Sequence, residues 1–256
     1  MNNQIFLSVI MAQYNEENNL KRGVLDQLNN YLKKQDYTWE VIINDDESSD
    51  NSYAISKEYA DSHAGFYVFK IDHGGKAAAL YNGVKEAKGK YILHTDVDQS
   101  TPISEAEKLI PYLEEGFDAV IGSRGSVRKD FSLLRKLASL TFRLGRQALV
   151  LYRITDTQCG FKVYRADILK EFFPKLEVIT RQGVKGWSVS AFDVELLFML
   201  EQAGYKIKEV PVKWEDEDVS TTKARKFFKE SIDMGKQILR VRLNWLKGKY
   251  RLNKKK

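Results

Sequence analysis

Two aspartates one residue apart, Asp96 and Asp98, follow an apolar segment in the stretch YILHTDVDQSTP, residues 91–102. Like charges this close repel each other and are costly to remove from water unless a cation lies between them. Carboxylate oxygens are preferred ligands of Mg²⁺ and Mn²⁺, and substrate phosphates complete the coordination. The pair therefore predicts a Mg²⁺ or Mn²⁺ site, although an exposed turn or helix cap would use the same residues.

Apolar strands alternate with helices through the first half of the chain, which indicates a mainly parallel sheet covered on both faces. The predicted strands are residues 5–11, 39–44, 66–71, 91–95 and 118–123, and the predicted helices are 17–34, 50–63, 75–89 and 104–116. Later segments predict helices at 132–151, 192–204 and from Ala224, and a strand at 205–214. We therefore expect an α/β fold in a single domain, residues 1–223, followed by a basic amphipathic extension, residues 224–256.

The polar motifs fall at the ends of the predicted strands. QYNEE follows the first strand, DDESSD the second, DVDQ the fourth and SRGS the fifth. In open α/β sheets the ligand lies in the crevice beyond the carboxyl ends of the strands. We therefore expect the motifs to meet there, with Asp46 accepting hydrogen bonds from a nucleotide and Lys76, which enters a helix after two glycines, approaching phosphate.

The net charge of +6 is unevenly distributed over the 256 residues. From Lys223 to Lys256 there are 13 Lys or Arg against two acidic residues, a local charge of +11. An apolar stripe at helical spacing runs through the same segment and contains Phe228, Ile232, Leu239, Leu243 and Leu246. Such a helix fits an anionic membrane surface, and packing against the catalytic domain is the alternative.

Composition limits the cellular compartments in which the protein is expected. No apolar run approaches the ~20 residues of a transmembrane helix, and the N-terminus lacks the basic region of a secretory leader. The single cysteine, Cys159, excludes an internal disulfide and suits a reducing compartment. We therefore expect a cytoplasmic protein, held peripherally on the cytoplasmic face of a membrane.

Three segments of the first half resemble, in order and spacing, the motifs of family 2 glycosyltransferases of the GT-A fold. They are SVIMAQYNEE, VIINDDESSDNS and GGKAAALYNGVKEAKGKYILHTDVDQSTP. The resemblance implies a Rossmann-like nucleotide-diphospho-sugar transferase fold with a mostly parallel central sheet and metal ligands Asp96 and Asp98. It also implies that the nucleotide is bound by Ala12, Tyr14, Glu16, Asp46, Lys76 and Asp96. The chain departs from the family pattern at Ala12, Glu47 and Ala77, where many members have Pro, Gly and Gly.

Five segments of the second half resemble dolichyl- and polyprenyl-phosphate hexosyltransferases, most of all the dolichyl-phosphate glucosyltransferase sub-branch. They are GSR (122–124), RKLAS (135–139), DTQCGFKVYR (156–165), FDVELL (192–197) and EVPVKWEDEDVSTTK (209–223). The resemblance implies inverting transfer of a hexose, with glucose the first choice, from a UDP-sugar to a polyprenyl or dolichyl phosphate.

A lipid phosphate is already ionised, so it needs cations to hold it rather than the general base that a hydroxyl acceptor usually requires. Arg124 follows the fifth strand, and RKLAS puts Arg135 and Ser139 four residues apart on one helix face. Arginine suits bidentate phosphate contacts. We therefore expect Arg124, Arg135 and Ser139 to bind the acceptor phosphate, and Arg124 to act in catalysis with Asp96 and Asp98.

Three alternatives stay open. A mannosyltransferase of the same branch would use GDP-mannose. A transferase to a sugar or protein hydroxyl would need a catalytic carboxylate, for which Asp156, Asp193 and Glu195 are the candidates. A nucleic-acid-binding protein is suggested by the pI of about 9.1. The carboxylates at the strand ends would repel phosphate without a metal, so we expect no nucleic-acid partner.

Overall fold

A mixed sheet of seven strands forms the centre of the protein. The computed structural model describes residues 4–125, 151, 154–180, 192–220 and 227–250, the side chains of 227–234 excepted. The strands are β1 (Leu7–Gln13), β2 (Trp39–Asp45), β3 (Phe66–Lys70), β4 (Tyr91–Asp96), β5 (Ala119–Ser123), β6 (Lys162–Arg165) and β7 (Ile207–Pro211). Their order across the sheet is β3-β2-β1-β4-β6-β5-β7.

Most strand pairs are parallel, which confirms the predicted α/β class and the mostly parallel sheet. The pairs β1–β2, β1–β4, β2–β3 and β5–β7 are parallel. Strand β6, which the sequence pattern did not predict, runs antiparallel between β4 and β5. It thereby brings the DTQCGFK segment beside the end of β4.

Helices cover both faces of the sheet. They are α1 (Glu17–Lys21), α2 (Val24–Leu32), α3 (Ser52–Ser62), α4 (Lys76–Glu86), α5 (Ala106–Glu114), α6 (Ala166–Phe172), α7 (Glu177–Thr180), α8 (Phe192–Gln202) and α9 (Phe227–Leu246). The prediction of one helix over 17–34 is wrong, because Gly23 takes a left-handed conformation (φ 77°) that separates α1 from α2. The helix predicted at 132–151 lies outside the described residues, Leu151 excepted.

The alternation of side chains along each strand divides the core into two layers. On one face, Ile10, Ile42 and Ile92 pack with apolar residues of α4, α6 and α8. On the other, Val9, Val41 and Leu93 pack with residues of α2 and α5. The central strands are therefore buried on both faces, and polar side chains at their carboxyl ends need partners or ligands.

The C-terminal helix α9 packs on this core along one side. Ile238 and Val241 are buried, and the Trp245 ring meets Phe198 edge-on at 5.7 Å. Just beyond α9, the Tyr250 hydroxyl donates to the buried carboxylate of Glu195 (2.8 Å). No helix within the described ranges is long and apolar enough to cross a membrane.

The other side of α9 stays exposed. Leu239, Leu243 and Leu246 are 51%, 52% and 67% exposed. They lie at i, i+4 and i+7 and therefore on one face of the helix. The packing of one face on the domain agrees with one of the two alternatives, and the exposed apolar face leaves binding to a membrane surface a prediction.

Candidate active site

Three strand ends meet at the carboxyl edge of the sheet. Ala12 of β1 pairs in register with Asn44 of β2 on one side and with Asp96 of β4 on the other. Lys76, the first residue of α4, reaches Asp96 with its Nζ 2.5 Å from Oδ1. Burial works to lower the pKa of Lys76, but the charge and hydrogen bond of Asp96 outweigh it and raise that pKa. The first carboxylate of the DVD motif is therefore already paired with a positive charge, the ammonium group of Lys76.

The DVD motif sits in a tight turn. The Ser100 N–H donates to Asp98 Oδ1 (2.9 Å), and Gln99 adopts a left-handed conformation with φ 53°. Such a conformation is uncommon for a residue other than glycine and costs energy. The turn holds Asp98 at the same edge of the sheet as Asp96, as the spacing predicted.

Gly160 lies directly against the Asp96 carboxylate. A Cβ atom added to Gly160 would stand 2.0 Å from Oδ2 and 2.6 Å from Cγ of Asp96. No side chain fits at this position while Asp96 keeps its place. The glycine of DTQCGFK therefore makes room for the first carboxylate, a role that the sequence analysis missed.

The loops that follow β1, β2 and β3 contact one another. Asp46 accepts hydrogen bonds from the N–H groups of Gly74 and Gly75, both at 2.8 Å. The His73 ring lies 2.9 Å from the same carboxylate and stacks on Tyr14, with ring centroids 4.7 Å apart. Asp46 thus positions the glycine turn that leads into Lys76. Burial is the main cause that raises the pKa of its carboxyl.

Glu16 and Glu47 occupy the outer part of these loops. The Glu16 carboxylate accepts a hydrogen bond from Asn19 Nδ2 (2.6 Å), and its N–H donates to Ser52 Oγ (2.7 Å). Glu47 has φ 61°, a conformation that glycine adopts freely. This conformation gives a physical reason for a glycine at the position of Glu47, as the family resemblance implies for many members, and it marks the loop after β2 as strained.

Arg124, at the end of β5, is bound by a carboxylate. Its Nε and Nη2 donate to the two oxygens of Asp156 at 2.8 and 2.9 Å. Burial works to raise the pKa of Asp156, but Arg124 outweighs it and lowers that pKa to about 2. The fork of Arg124 is thus directed at Asp156. Arg135 and Ser139, the other predicted acceptor ligands, lie outside the described residues.

A small polar cavity opens beside Asp96, with Lys76, His94, Lys162 and Asp193 in its lining. Lys162 is buried, and its Nζ donates to Asp193 Oδ1 (2.7 Å) and to the Cys159 carbonyl (2.5 Å). Burial, with Lys162 and Lys76, lowers the pKa of His94 to about 3, so its imidazole is neutral. The cavity therefore offers hydrogen-bond donors and acceptors next to the first carboxylate.

The three carboxylates considered for a hydroxyl acceptor differ in position. Asp156 is held by Arg124, and Glu195 is buried against Tyr250 and the Glu177 N–H. Burial is the main cause that raises the pKa of Glu195 to about 7. Asp193 is the member of the three that lines the cavity beside Asp96.

The set of donor atoms fits a divalent cation that a substrate helps to bind. Within the described ranges, no group of three or more His, Cys, Asp or Glu could enclose a metal by itself. Two hard carboxylates at a crevice, Asp96 and Asp98, suit Mg²⁺ or Mn²⁺, which commonly keep water and substrate phosphate oxygens among their ligands. Zinc, a softer metal, would favour a set of Cys and His ligands, and a pair of hard carboxylates is not such a set.

Sequence comparison relates the chain to glycosyltransferases. The model of the family "Glycosyl transferase family 2" matches residues 8–173. Dolichyl-phosphate beta-glucosyltransferase of Saccharomyces cerevisiae is 30% identical over 98% of this chain and 78% of its own length. The protein of the same name from Homo sapiens is 31% identical over 96% of this chain and 78% of its own length.

Solved structures share the fold at low sequence identity. Mannosyl-3-phosphoglycerate synthase from Rubrobacter xylanophilus has a TM-score of 0.66 at 14% identity, covering 96% of this chain and 76% of that one. Glucosyl-3-phosphoglycerate synthase from Mycobacterium tuberculosis, in complex with Mn²⁺, UDP-glucose and phosphoglyceric acid, has a TM-score of 0.63 at 18% identity, covering 94% and 79%. The GT-A fold predicted from the motifs is thereby confirmed.

Proposed function

The chain belongs to glycosyltransferase family 2, and from this premise we propose that it transfers a hexose, in the first place glucose, from a UDP-sugar to a polyprenyl or dolichyl phosphate. The relatives of that activity match nearly the whole chain. The observation that carries the proposal is the carboxyl edge of the sheet, where Lys76 and Asp96 form an ion pair beside Asp98. An anionic diphosphate, a metal and a sugar can be held together at such an edge.

In the proposed reaction, Asp96 and Asp98 would hold Mg²⁺ or Mn²⁺, which would supply charge neutralisation for the leaving diphosphate. Lys76 lies at the N-terminus of α4 and would turn from Asp96 to a phosphate oxygen of the donor. Ala12 and Tyr14, at the end of β1, flank the nucleotide, while Glu16 and Asp46 shape its loops. The placement of each residue around the edge supports these proposed roles.

The acceptor phosphate is the nucleophile in this proposal. Its oxygen attacks the anomeric carbon from the face opposite the diphosphate, so one bond forms as the other breaks and the configuration inverts. From an α-linked UDP-glucose the product is a β-linked polyprenyl phosphoglucose. No proton has to be removed, which agrees with the engagement of Asp156 by Arg124 and of Glu195 by Tyr250.

The proposal is tested by release of UDP from a panel of sugar nucleotides, with and without a short-chain polyprenyl phosphate. We expect release to require Mg²⁺ or Mn²⁺, to rise with the lipid phosphate and to be fastest with UDP-glucose. A preference for GDP-mannose would favour the mannosyl alternative. Absence of any lipid-dependent release would contradict the proposal.

We expect Arg135→Ala to weaken binding of the lipid acceptor. A charge-assisted hydrogen bond to phosphate contributes on the order of 1.5–3 kcal/mol, so the apparent KM for polyprenyl phosphate should rise roughly 10–150-fold. Arg135→Lys should restore part of the loss, because an ammonium lacks the guanidinium fork. Steady-state kinetics with each substrate varied separately measure this, and an effect on the UDP-sugar alone would overturn the assignment.

We also propose that α9 and the basic residues around it hold the enzyme at an anionic, cytoplasmic membrane surface. The exposed face of Leu239, Leu243 and Leu246 supplies apolar area. The segment from Lys223 onward carries a local charge of +11. An apolar face flanked by Lys and Arg is the pattern of helices that lie in a bilayer interface.

Co-sedimentation with liposomes tests the membrane proposal. Binding to anionic liposomes should fall with added salt, on deletion of residues 247–256 and with Leu243→Glu. Tyr67→Glu is the matched control, because Tyr67 is also exposed (43%) but lies on β3. Equal binding to neutral and anionic liposomes, indifferent to salt, would contradict the electrostatic part, and a Tyr67 effect as large as that of Leu243 would contradict the role of the helix face.

A further inference from the structure

His94 presents a buried nitrogen without a partner. It lies on β4 two residues before Asp96, so both side chains point to the same face of the sheet. The residue is 4% exposed, and its Nε2 has no hydrogen-bond partner among the described residues. A buried polar atom left unpaired is destabilising, and native proteins usually pair it with protein, water or ligand.

The cavity beside this histidine could provide the missing partner. It is lined by His94, Lys162 and Asp193, with Asp96 bordering it and apolar walls from Leu80 and Phe192. Its enclosed part has room for about one water molecule, and therefore also for one hydroxyl group. A hydroxyl both donates and accepts a hydrogen bond. In the cavity, Lys162 offers a hydrogen-bond donor and Asp193 an acceptor. The imidazole of His94 can supply a further donor or a further acceptor.

We propose that His94 determines sugar specificity, with its Nε2 hydrogen-bonded to one hydroxyl of the transferred hexose in this cavity. The inference rests on the proposed function, because it places the hexose of the nucleotide sugar beside Asp96. Polar atoms arranged for a hydroxyl discriminate strongly against an analogue that lacks it, since they are then left buried and unpaired. The cavity thus selects one hydroxyl position of the donor.

The test compares UDP-glucose with its 2-, 3-, 4- and 6-deoxy analogues on the intact chain, by calorimetric binding with Mn²⁺ and by transfer to polyprenyl phosphate. For the wild type, one deoxy analogue should bind or react roughly 10- to 100-fold worse than UDP-glucose. The other deoxy analogues should show a much smaller loss. In His94→Phe that discrimination should fall to within about threefold. His94→Gln, which keeps a polar group, should recover part of it.

Tyr164→Phe is the matched control, because its buried hydroxyl also lacks a partner among the described residues and its ring lies 5.4 Å from that of His94, outside the cavity lining. It should leave the discrimination unchanged. Equal discrimination in wild type, His94→Phe and His94→Gln would overturn the inference and leave a structural water as the partner of His94. If UDP itself failed to bind, the proposed function would fall as well, so the two failures are distinguishable.

Discussion

Replacing Asp98 with asparagine is expected to remove nearly all transferase activity while leaving the fold intact. The Ser100 N–H donates a hydrogen bond to Asp98 Oδ1. The amide oxygen of an asparagine can accept that hydrogen bond equally well, so the turn should persist. What is lost is one of two hard metal ligands. Neutralisation of the leaving diphosphate contributes several kcal/mol, so kcat/KM should fall by at least roughly 100-fold. Activity assays and thermal melting measure the two effects.

Asp167→Asn is the control for this change. Asp167 is exposed (64% of its side chain) and follows β6, at the edge of the sheet opposite the crevice. It should keep wild-type activity. Excess EDTA should abolish the transferase activity of the wild type. Added Mn²⁺ should restore activity to the wild type but not to Asp98→Asn. Full activity in EDTA, or an active Asp98→Asn, would exclude the metal role.

Gly160→Ala should also remove most of the activity, although the residue carries no functional group. Its new Cβ would stand 2.0 Å from Asp96 Oδ2, so the carboxylate must rotate away from its position next to Lys76. Misplacement of a reacting or binding group by about 1 Å can cost on the order of 100-fold in rate. We expect a loss of that order, with weaker Mn²⁺ binding measured by calorimetry in the presence of UDP.

Gly116→Ala separates this effect from a loss of stability. Gly116 has φ 92°, and nothing lies within 4 Å of the position of its Cβ. The variant should therefore melt at a lower temperature, because alanine is strained there, and yet keep kcat. Gly160→Ala should instead lose kcat and keep its melting temperature. If both variants lost activity only in proportion to their stability, Gly160 would have no specific role at Asp96.

The fold was predictable where the pattern of residues is continuous. The strands through Leu7, Trp39 and Tyr91 are apolar runs between helical segments, and the structure has them within two residues of their predicted starts. Strand β6 was missed because it has only four residues, and two of them, Lys162 and Arg165, are charged. The break at Gly23 was missed because a glycine inside a helical pattern is often tolerated.

The site was predictable where neighbouring strands bring it together. Parallel strands end at one edge, so Ala12, Lys76 and Asp96 could be assigned to one crevice from their order alone. Gly160 and Lys162 could not, because the antiparallel pairing of β6 with β4 brings them to Asp96 and no local pattern indicates that pairing. The glycine in DTQCGFK was the available signal, since glycine often marks a close approach of the backbone to another group.

The most direct test of the proposed function compares two acceptors that differ only in the phosphate group. Purified enzyme with Mn²⁺ and radiolabelled UDP-glucose is given either a short-chain polyprenyl phosphate or the corresponding polyprenol, and the lipid products are separated and counted. We expect a β-linked glucosyl polyprenyl phosphate from the first and no glucosylated lipid from the second, because the phosphate oxygen is the nucleophile. Glucosylation of the polyprenol or of a simple glycoside, at a rate equal to that with the lipid phosphate, would contradict it.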